Sequence, residues 1–143
     1  MKWLKLLLMI SLILLASVAV MLIGTGVIMA DKIKAIAEAI ARAEGWYATS
    51  DTPNLPQRLN NPGNLKDSSG KLRQFSTPED GWSALYRQVN LMVSGLSRIY
   101  NPNMTISEVA MLYTGNDRPD DWSRIVSGQL GVTPLTRLNE IEV

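Results

Sequence analysis

The sequence predicts a mainly α-helical protein, in which one transmembrane helix precedes a single helical domain. The first observation is an uncharged run at residues 6–30, which is long enough to cross a bilayer as a helix. The second is that apolar residues recur at helical spacing in most of the remaining chain. The exception is residues 46–76, a segment rich in Pro, Asn, Gly and Ser, where a short irregular or β insertion is expected.

The apolar run divides the chain into a membrane segment, residues 1–30, and a folded domain, residues 31–143. A transmembrane signal-anchor is the favoured interpretation, because the run is longer than the apolar core of an ordinary signal peptide. A signal peptide cleaved after Ala30 and a buried core helix are the alternatives. Lys2 and Lys5 precede the run and favour a cytoplasmic N-terminus, which places the domain on the other side of the membrane.

The composition limits the chemistry that the domain can perform. The 143 residues include no Cys and no His, which excludes thiol nucleophiles, disulfides, Ser-His-Asp triads and zinc sites built on either residue. The 14 Lys and Arg nearly balance the 13 Asp and Glu, and no basic stripe indicates nucleic acid. An acid–base enzyme of this composition must use Asp, Glu, Tyr or Lys, and no metal or cofactor is implied.

Four helices and their boundaries are predicted in the domain from apolar spacing, capping residues and helix-stop residues. The first covers residues 31–44, with Gly45 as its stop. The others are a helix from Thr77-Pro78 with an inner stripe from Trp82 to Ile99, a short helix from the capping-box sequence at 105–108 through Tyr113, and a helix from Pro119 closed by Gly131. Residues 71–75, KLRQF, are a candidate strand, and Thr133-Pro134 begins a final short piece.

Glu44 is the residue that the helical pattern singles out. At about 100° per residue, it falls within the apolar stripe of residues 31–44, whereas Glu38 and Arg42 fall on the solvent side. Partial burial and the unpaired carbonyl groups of a last helical turn both raise the pKa of a carboxyl group. A general acid needs a raised pKa near neutral pH. The ordinary alternative is that Glu44 turns to solvent at a fraying helix end.

Four pieces of sequence, in their order and spacing, resemble a known enzyme family. They are AIARAEGW at 39–46, RLNNPGNLK at 58–66, QFSTPEDGWSALYRQV at 74–89 and MLYTGND at 111–117. The pattern looks like the small phage and bacterial muramidases of the lysozyme-like superfamily. More narrowly, it resembles the lytic transglycosylases carried in phage virions. The resemblance extends over about residues 33–132.

The resemblance implies a lysozyme-like helical domain that cleaves the β-1,4 bond between N-acetylmuramic acid and N-acetylglucosamine. Glu44 matches the catalytic glutamate of that family, although Gly45 follows it where the family often has Ser. Tyr113 matches a family tyrosine, and Thr114 stands where Asn is common. The G-L-M-Q segment of the larger transglycosylases is missing, and NNPGNL takes its place in the chain.

The number of acids at the site bears on the reaction. A two-carboxylate hydrolase needs a second Asp or Glu across the bond, for which Asp51, Asp80 and Asp117 are candidates without a persuasive spacing. A single acid, Glu44, favours a lytic transglycosylase, in which the C6 hydroxyl of the muramic acid attacks the anomeric carbon. A hydrolytic muramidase remains the alternative.

Several other side chains are candidates for binding the glycan. Asn60, Asn61 and Asn64 offer amides to the acetamido groups, although Asn-Pro-Gly-Asn is also ordinary turn sequence, and Asn64 is the preferred candidate. The further candidates are Gln74, Phe75, Tyr113 and Thr114 as groove residues and Trp46 as a stacking surface, while Trp82 and Trp122 are predicted to be core.

These features predict a membrane-anchored, peptidoglycan-cleaving enzyme, with residues 6–30 in the lipid bilayer and the domain outside the cytoplasm. The membrane is expected to be the internal membrane of a phage virion, with the enzyme opening the wall during entry, or a bacterial inner membrane facing the periplasm. Peptidoglycan strands and other virion membrane proteins are the expected partners. The alternative is a non-catalytic virion or envelope protein that only binds glycan.

Overall fold

The helical character of the chain is evident in a computed structural model, which describes residues 2–143 and the side chains from residue 7 onward. The helices are α1 (Lys2–Ala43), α2 (Leu55–Arg58), α3 (Pro78–Val93), α4 (Ile106–Thr114) and α5 (Pro119–Leu130), followed by a short 3₁₀ helix at Leu138–Glu140. No β-strand forms within residues 2–143. The predicted mainly helical fold is confirmed.

The chain divides into two compact units, Met1–Asp31 and Lys32–Val143. The first contains the apolar part of α1, whose large side chains are exposed from residue 7 onward; Leu15 and Met21, for example, are 69% and 74% exposed. From Leu7 this helix is long and apolar enough, by length and composition, to cross a membrane. That agrees with the predicted membrane segment in its coarser sense, a single apolar helix near the N-terminus.

The second unit has one hydrophobic core, to which every major helix contributes a face. Residues at helical spacing are buried because that spacing puts them on the same side of a helix. The fully or almost fully buried side chains include Ile36 and Ile40 of α1, Leu85, Val89 and Met92 of α3, Ile106 and Val109 of α4, and Trp122 and Val126 of α5.

Several helix ends form as the sequence predicts. Thr77 Oγ1 accepts the Asp80 N–H at 3.2 Å, which satisfies a free donor at the start of α3. Thr105 and Glu108 form a reciprocal capping box at the start of α4. At the end of α5, Gly131 takes a left-handed conformation, φ 69°, which favours glycine.

Two other predictions about secondary structure are wrong. The inner stripe does not reach Ile99, because α3 ends at Val93 and Gly95 turns the chain with φ 74°. Leu96 and Ile99 are consequently 73% and 63% exposed. Residues 71–75 do not form a strand either: Leu72 makes only an isolated antiparallel bridge with Lys66.

The insertion between α1 and α3 contains the short helix α2 and is otherwise an irregular loop, which is held together by internal hydrogen bonds. Asn61 is fully buried, and its Nδ2 donates to the carbonyl oxygens of Leu65 and Arg73, each at 2.9 Å. Its Oδ1 accepts the Leu65 N–H at 2.8 Å. A buried amide with all of these backbone partners replaces the hydrogen bonds that a sheet would have provided.

The same loop packs closely against the start of α3 because two glycines leave room for it. A Cβ on Gly81 would lie 1.8 Å from the carbonyl oxygen of Asn60, and one on Gly63 would lie 2.7 Å from Leu85 Cδ1. The NNPGNL segment at 60–65 and the FSTPEDG segment at 75–81 are therefore in direct contact, and that packing explains their glycines.

We expect Gly81→Ala to destabilise the second unit by about 3 kcal/mol, the upper end of overpacking costs, because its new methyl group would meet backbone rather than a flexible side chain. The measurement is urea unfolding of the full chain in detergent micelles, followed by tryptophan fluorescence. The matched control is Gly128→Ala in α5, where a Cβ would meet nothing within 4 Å. It should stabilise by about 0.5–1 kcal/mol through helix propensity. Equal effects at both glycines would contradict the packing argument.

Candidate active site

An open groove of about 570 Å³ lies in the second unit, a volume typical of small-molecule sites. Its wall is made by the end of α1, the insertion loop, the end of α4 and the first turns of α5. The polar side chains that line it are those of Glu44, Asn64, Lys66, Tyr113, Thr114, Asp117, Arg118, Asp121 and Arg124, together with the indole of Trp122.

Glu44 reaches the groove because of where α1 ends. Its N–H still bonds to the Ile40 carbonyl at 2.9 Å, so that its side chain keeps the helical direction of the buried face. Gly45 then turns the chain away with φ 83°. Glu44 is half-buried beside the core, in contrast to the frayed, solvent-facing arrangement that was the alternative.

Each oxygen of the Glu44 carboxyl group accepts one hydrogen bond. The Trp122 indole Nε1–H donates to Oε1, and the Asn64 amide Nδ2 donates to Oε2, both at 2.8 Å. One donor comes from α5 and the other from the insertion loop, so two separate segments hydrogen-bond the carboxyl group. Hydrogen bonds to a charged acceptor are stronger than neutral ones, and this pair fixes the direction of the carboxyl group.

The electrostatic balance at Glu44 favours the proton. Burial raises the pKa of Glu44 above its ordinary value, while the hydrogen bonds from Asn64 and Trp122 and the positive charge of Lys66 oppose that rise. Burial is the largest of these effects. The pKa of Glu44 therefore shifts in the direction that the sequence predicts, which is also the direction that a general acid needs.

Tyr113 contacts the Trp122 ring and the residue that precedes Asn64. Its hydroxyl donates to the Gly63 carbonyl at 2.6 Å, next to Asn64, and its ring lies against that of Trp122 with centroids 5.1 Å apart. Burial raises the pKa of Tyr113 well above its usual value, so the phenol stays neutral and remains a donor. Its role is to hold the loop and the indole in place.

Four of the residues predicted for the site lie together on this groove: Glu44, Asn64, Tyr113 and Thr114. Thr114 is half-buried, and its hydroxyl donates to the Ala110 carbonyl at 2.9 Å within α4. Asn64 lies beside Glu44 and donates a hydrogen bond to its carboxyl group.

Three predicted residues need correction: within the described chain, Asn61, Gln74 and Phe75 are not part of the groove lining. Asn61 is fully buried and bonded to backbone, which leaves nothing for a ligand. Gln74 is exposed outside the groove. Phe75 packs against the core below the Arg73 guanidinium, 4.6 Å from its ring centroid. Gln74 and Phe75 lie in residues 71–75, where the predicted strand does not form.

Trp122 is the functional residue that sequence reasoning missed. It was predicted to be core, and it is only 5% exposed, yet its N–H is the donor to Glu44. A buried tryptophan needs a partner for its N–H, and Glu44 on the apolar face needs a donor. The sequence could have indicated this pair, because the indole N–H needs an acceptor and the Glu44 carboxyl group needs a donor. Trp46, the candidate stacking surface, packs edge-on against Trp82 at 6.2 Å instead.

Of the three acids predicted as candidates for a second carboxylate, one lines the groove. Asp117 lines the groove, whereas Asp51 and Asp80 lie outside its lining in the described chain. Asp117 is 84% exposed and lies 4.0 Å from the Arg118 guanidinium. A further acid, Asp121, also lines the groove and accepts a hydrogen bond from Arg124 at 3.1 Å.

No family model matches the sequence, and no similar curated protein or solved structure was found. A half-buried carboxyl group, held by two donors beside an open groove and carrying a raised pKa, can give a proton to a bound molecule and take one back.

We expect Trp122→Phe to raise the pKa of Glu44 further, because it removes a donor that favours the carboxylate and keeps an aromatic ring in the core. The measurement is a pH titration of the ¹³C-labelled glutamate carboxyl groups by NMR, with Glu44 assigned from its loss in Glu44→Gln. Trp82→Phe is the control, since the Trp82 ring packs with Trp46 and Tyr86 and makes no bond to Glu44. An unchanged midpoint in Trp122→Phe would contradict the assigned hydrogen bond.

Proposed function

We propose that the protein is a membrane-anchored peptidoglycan lytic transglycosylase, in which Glu44 is the catalytic acid and base. The observation that carries this proposal is the Glu44 carboxyl group itself: half-buried, fixed by two donors and facing an open groove. The sequence resemblance to lysozyme-like muramidases supplies the substrate class, since that family's catalytic glutamate matches this same residue.

The proposed reaction uses one carboxyl group twice. Protonated Glu44 gives its proton to the glycosidic oxygen between N-acetylmuramic acid and N-acetylglucosamine as that C–O bond breaks. The C6 hydroxyl of the muramic acid then bonds to the anomeric carbon, and its proton passes to the Glu44 carboxylate. The products are a 1,6-anhydromuramic acid end and a free N-acetylglucosamine end, and Glu44 is protonated again for the next cycle.

A hydrolytic muramidase is the second candidate, because Asp117 and Asp121 line the same groove. Two carboxyl groups on opposite sides of the bond are the usual requirement for hydrolysis. Asp117, however, is largely exposed beside Arg118, and Asp121 is bonded to Arg124. Neither is held as Glu44 is, which favours the reaction that needs a single acid.

The apolar helix gives the proposed activity its location. Peptidoglycan lies outside the cytoplasm, so a domain that cleaves it must lie on that side of the membrane. A helix from Leu7 that is long and apolar enough to span a bilayer would tether such a domain at the wall. We propose the internal membrane of a phage virion, or a bacterial inner membrane facing the periplasm, with other virion membrane proteins as partners in the first case.

The direct test digests purified peptidoglycan with the full chain in detergent micelles and identifies the products by mass spectrometry. Products lighter by one water molecule than ordinary reducing muropeptides are expected. Glu44→Gln should lower the rate about 10³-fold, the usual contribution of a general acid. Glu79→Gln, at an exposed acid in the first turn of α3, is the matched control and should retain the wild-type rate.

The other outcomes of that digestion are informative too. Reducing ends would indicate a hydrolase, and Asp117→Asn and Asp121→Asn would then identify its second carboxyl group. A folded wild-type protein that binds peptidoglycan and releases nothing would replace the enzyme with a glycan-binding protein.

The rate should fall as the pH rises through the pKa of Glu44, because only the protonated form can donate. Lys66→Gln removes a positive charge that lowers this pKa, so the falling limb should move to higher pH. Arg58→Gln, at an exposed cation of α2 outside the groove lining, is the control and should leave the limb in place. A limb that shifts equally in both variants would mean that Lys66 has no particular effect on Glu44.

A further inference from the structure

We propose that the side-chain amide of Asn64 reverses whenever Glu44 changes its protonation state, which makes Asn64 a positioning residue that keeps the Glu44 proton on Oε2. The catalytic meaning of this inference rests on the proposed function. The hydrogen-bonding switch itself does not, and it can be observed without any substrate.

The first step is that Trp122 cannot change its role. An indole N–H is a donor only, and the Trp122 ring is buried and packed against Tyr113. Glu44 Oε1, 2.8 Å from that N–H, must therefore be an acceptor in both protonation states. When Glu44 is an acid, its proton belongs on the other oxygen, Oε2.

The second step concerns what Oε2 then faces. In the structure the Asn64 Nδ2 group donates to Oε2 at 2.8 Å, which suits a carboxylate. Once Oε2 carries a proton, an O–H and an N–H would compete in the same short gap. An amide turned by half a revolution about its last bond exchanges Oδ1 and Nδ2 with almost no change of shape. Asn64 Oδ1 can then accept the proton of Oε2.

The third step is that no other group holds the Asn64 amide in one orientation. Within the described residues, Oδ1 of Asn64 is buried and has no hydrogen-bond partner, and Nδ2 bonds only to Glu44. Its main chain is held by the bond from its N–H to the Asn61 carbonyl at 3.1 Å. The orientation of the amide therefore follows its one polar partner. Asn61 is the contrast, because three backbone bonds hold its amide.

The charged and titratable neighbours of Glu44 do not take the place of Asn64. Lys66 from the insertion loop acts on the carboxyl group through its charge, and Tyr113 from α4 donates to Gly63. On the α5 side, two ion pairs line the groove, Asp117 with Arg118 and Asp121 with Arg124. In the described chain, the hydrogen bonds to the Glu44 carboxyl group come from Asn64 and Trp122 alone.

The switch has a consequence for each half of the proposed reaction. Before transfer, Oδ1 of Asn64 holds the acidic proton on Oε2, the oxygen from which it passes to the glycosidic oxygen. After transfer, the returning Nδ2–H donates to the new carboxylate and stabilises its charge. Asn64 thus supports both states of Glu44, whereas Trp122 favours the carboxylate.

The test is a nuclear Overhauser experiment on the ¹⁵N-labelled full chain in detergent micelles, at pH values above and below the Glu44 midpoint. Above it, the Asn64 side-chain amide protons should show strong cross-peaks to the Glu44 γ-protons. Below it, those cross-peaks should weaken several-fold, because the amide protons point away. The cross-peak from the Trp122 indole proton to Glu44 should persist at both pH values. The Asn61 amide is the internal control and should not respond to pH.

Glu44→Gln provides the second arm, since a glutamine resembles the protonated acid: its oxygen can accept from Trp122 while its NH₂ donates to Asn64 Oδ1. In this variant the Asn64 amide should hold the reversed orientation at every pH. Cross-peaks from Asn64 to residue 44 that stay strong below the midpoint in the wild type, or that still follow pH in Glu44→Gln, would overturn the proposal.

An activity assay separates the two proposals. Asn64→Gly keeps the backbone conformation accessible at φ 46° and removes the amide, so the wall-cleaving rate should fall. An amide that switches in a protein that cleaves nothing would preserve this inference and reject the enzyme. Cleavage that needs Glu44 but proceeds with a fixed amide would do the reverse.

Discussion

The need to hydrogen-bond a half-buried carboxyl group, that of Glu44, constrains how the segments of the second unit pack. An ionised group taken from water costs several kcal/mol unless it finds partners, and Glu44 is directed into an apolar face by the helix that carries it. Its partners come from distant parts of the chain, Asn64 in the insertion loop and Trp122 in α5. Those segments must therefore converge on the end of α1, and the open groove lies where they meet.

The insertion loop takes part in this convergence without forming a sheet. Its precision comes from close backbone approach at Gly81, from the buried amide of Asn61 and from the bond between the Tyr113 hydroxyl and the Gly63 carbonyl. Each of these contacts fixes a short stretch of loop on a helix. Together these contacts place the Asn64 amide within hydrogen-bond distance of Glu44 Oε2. The packing of the loop therefore determines the environment of the carboxyl group.

The proposed reaction fits the asymmetry among the groove acids. Glu44 is half-buried, held by two donors and has a raised pKa, whereas Asp117 and Asp121 are exposed beside arginines. A single acid in this environment suits the proposed reaction, in which the C6 hydroxyl of the substrate and not a water molecule returns a proton to Glu44. An apolar helix near the N-terminus would keep the proposed activity at a membrane.

The sequence alone determined the features that depend on neighbours within a turn or two: the apolar run, the helix starts at Thr77 and Thr105, the stop at Gly131 and the inward direction of Glu44. Periodicity and capping act over that range. Only the tertiary structure decided that the Trp122 indole donates to Glu44 and that Asn64 rather than Asn61 faces the groove. Those outcomes depend on which segments pack together, because identical side chains in one short loop differ only in what lies across from them.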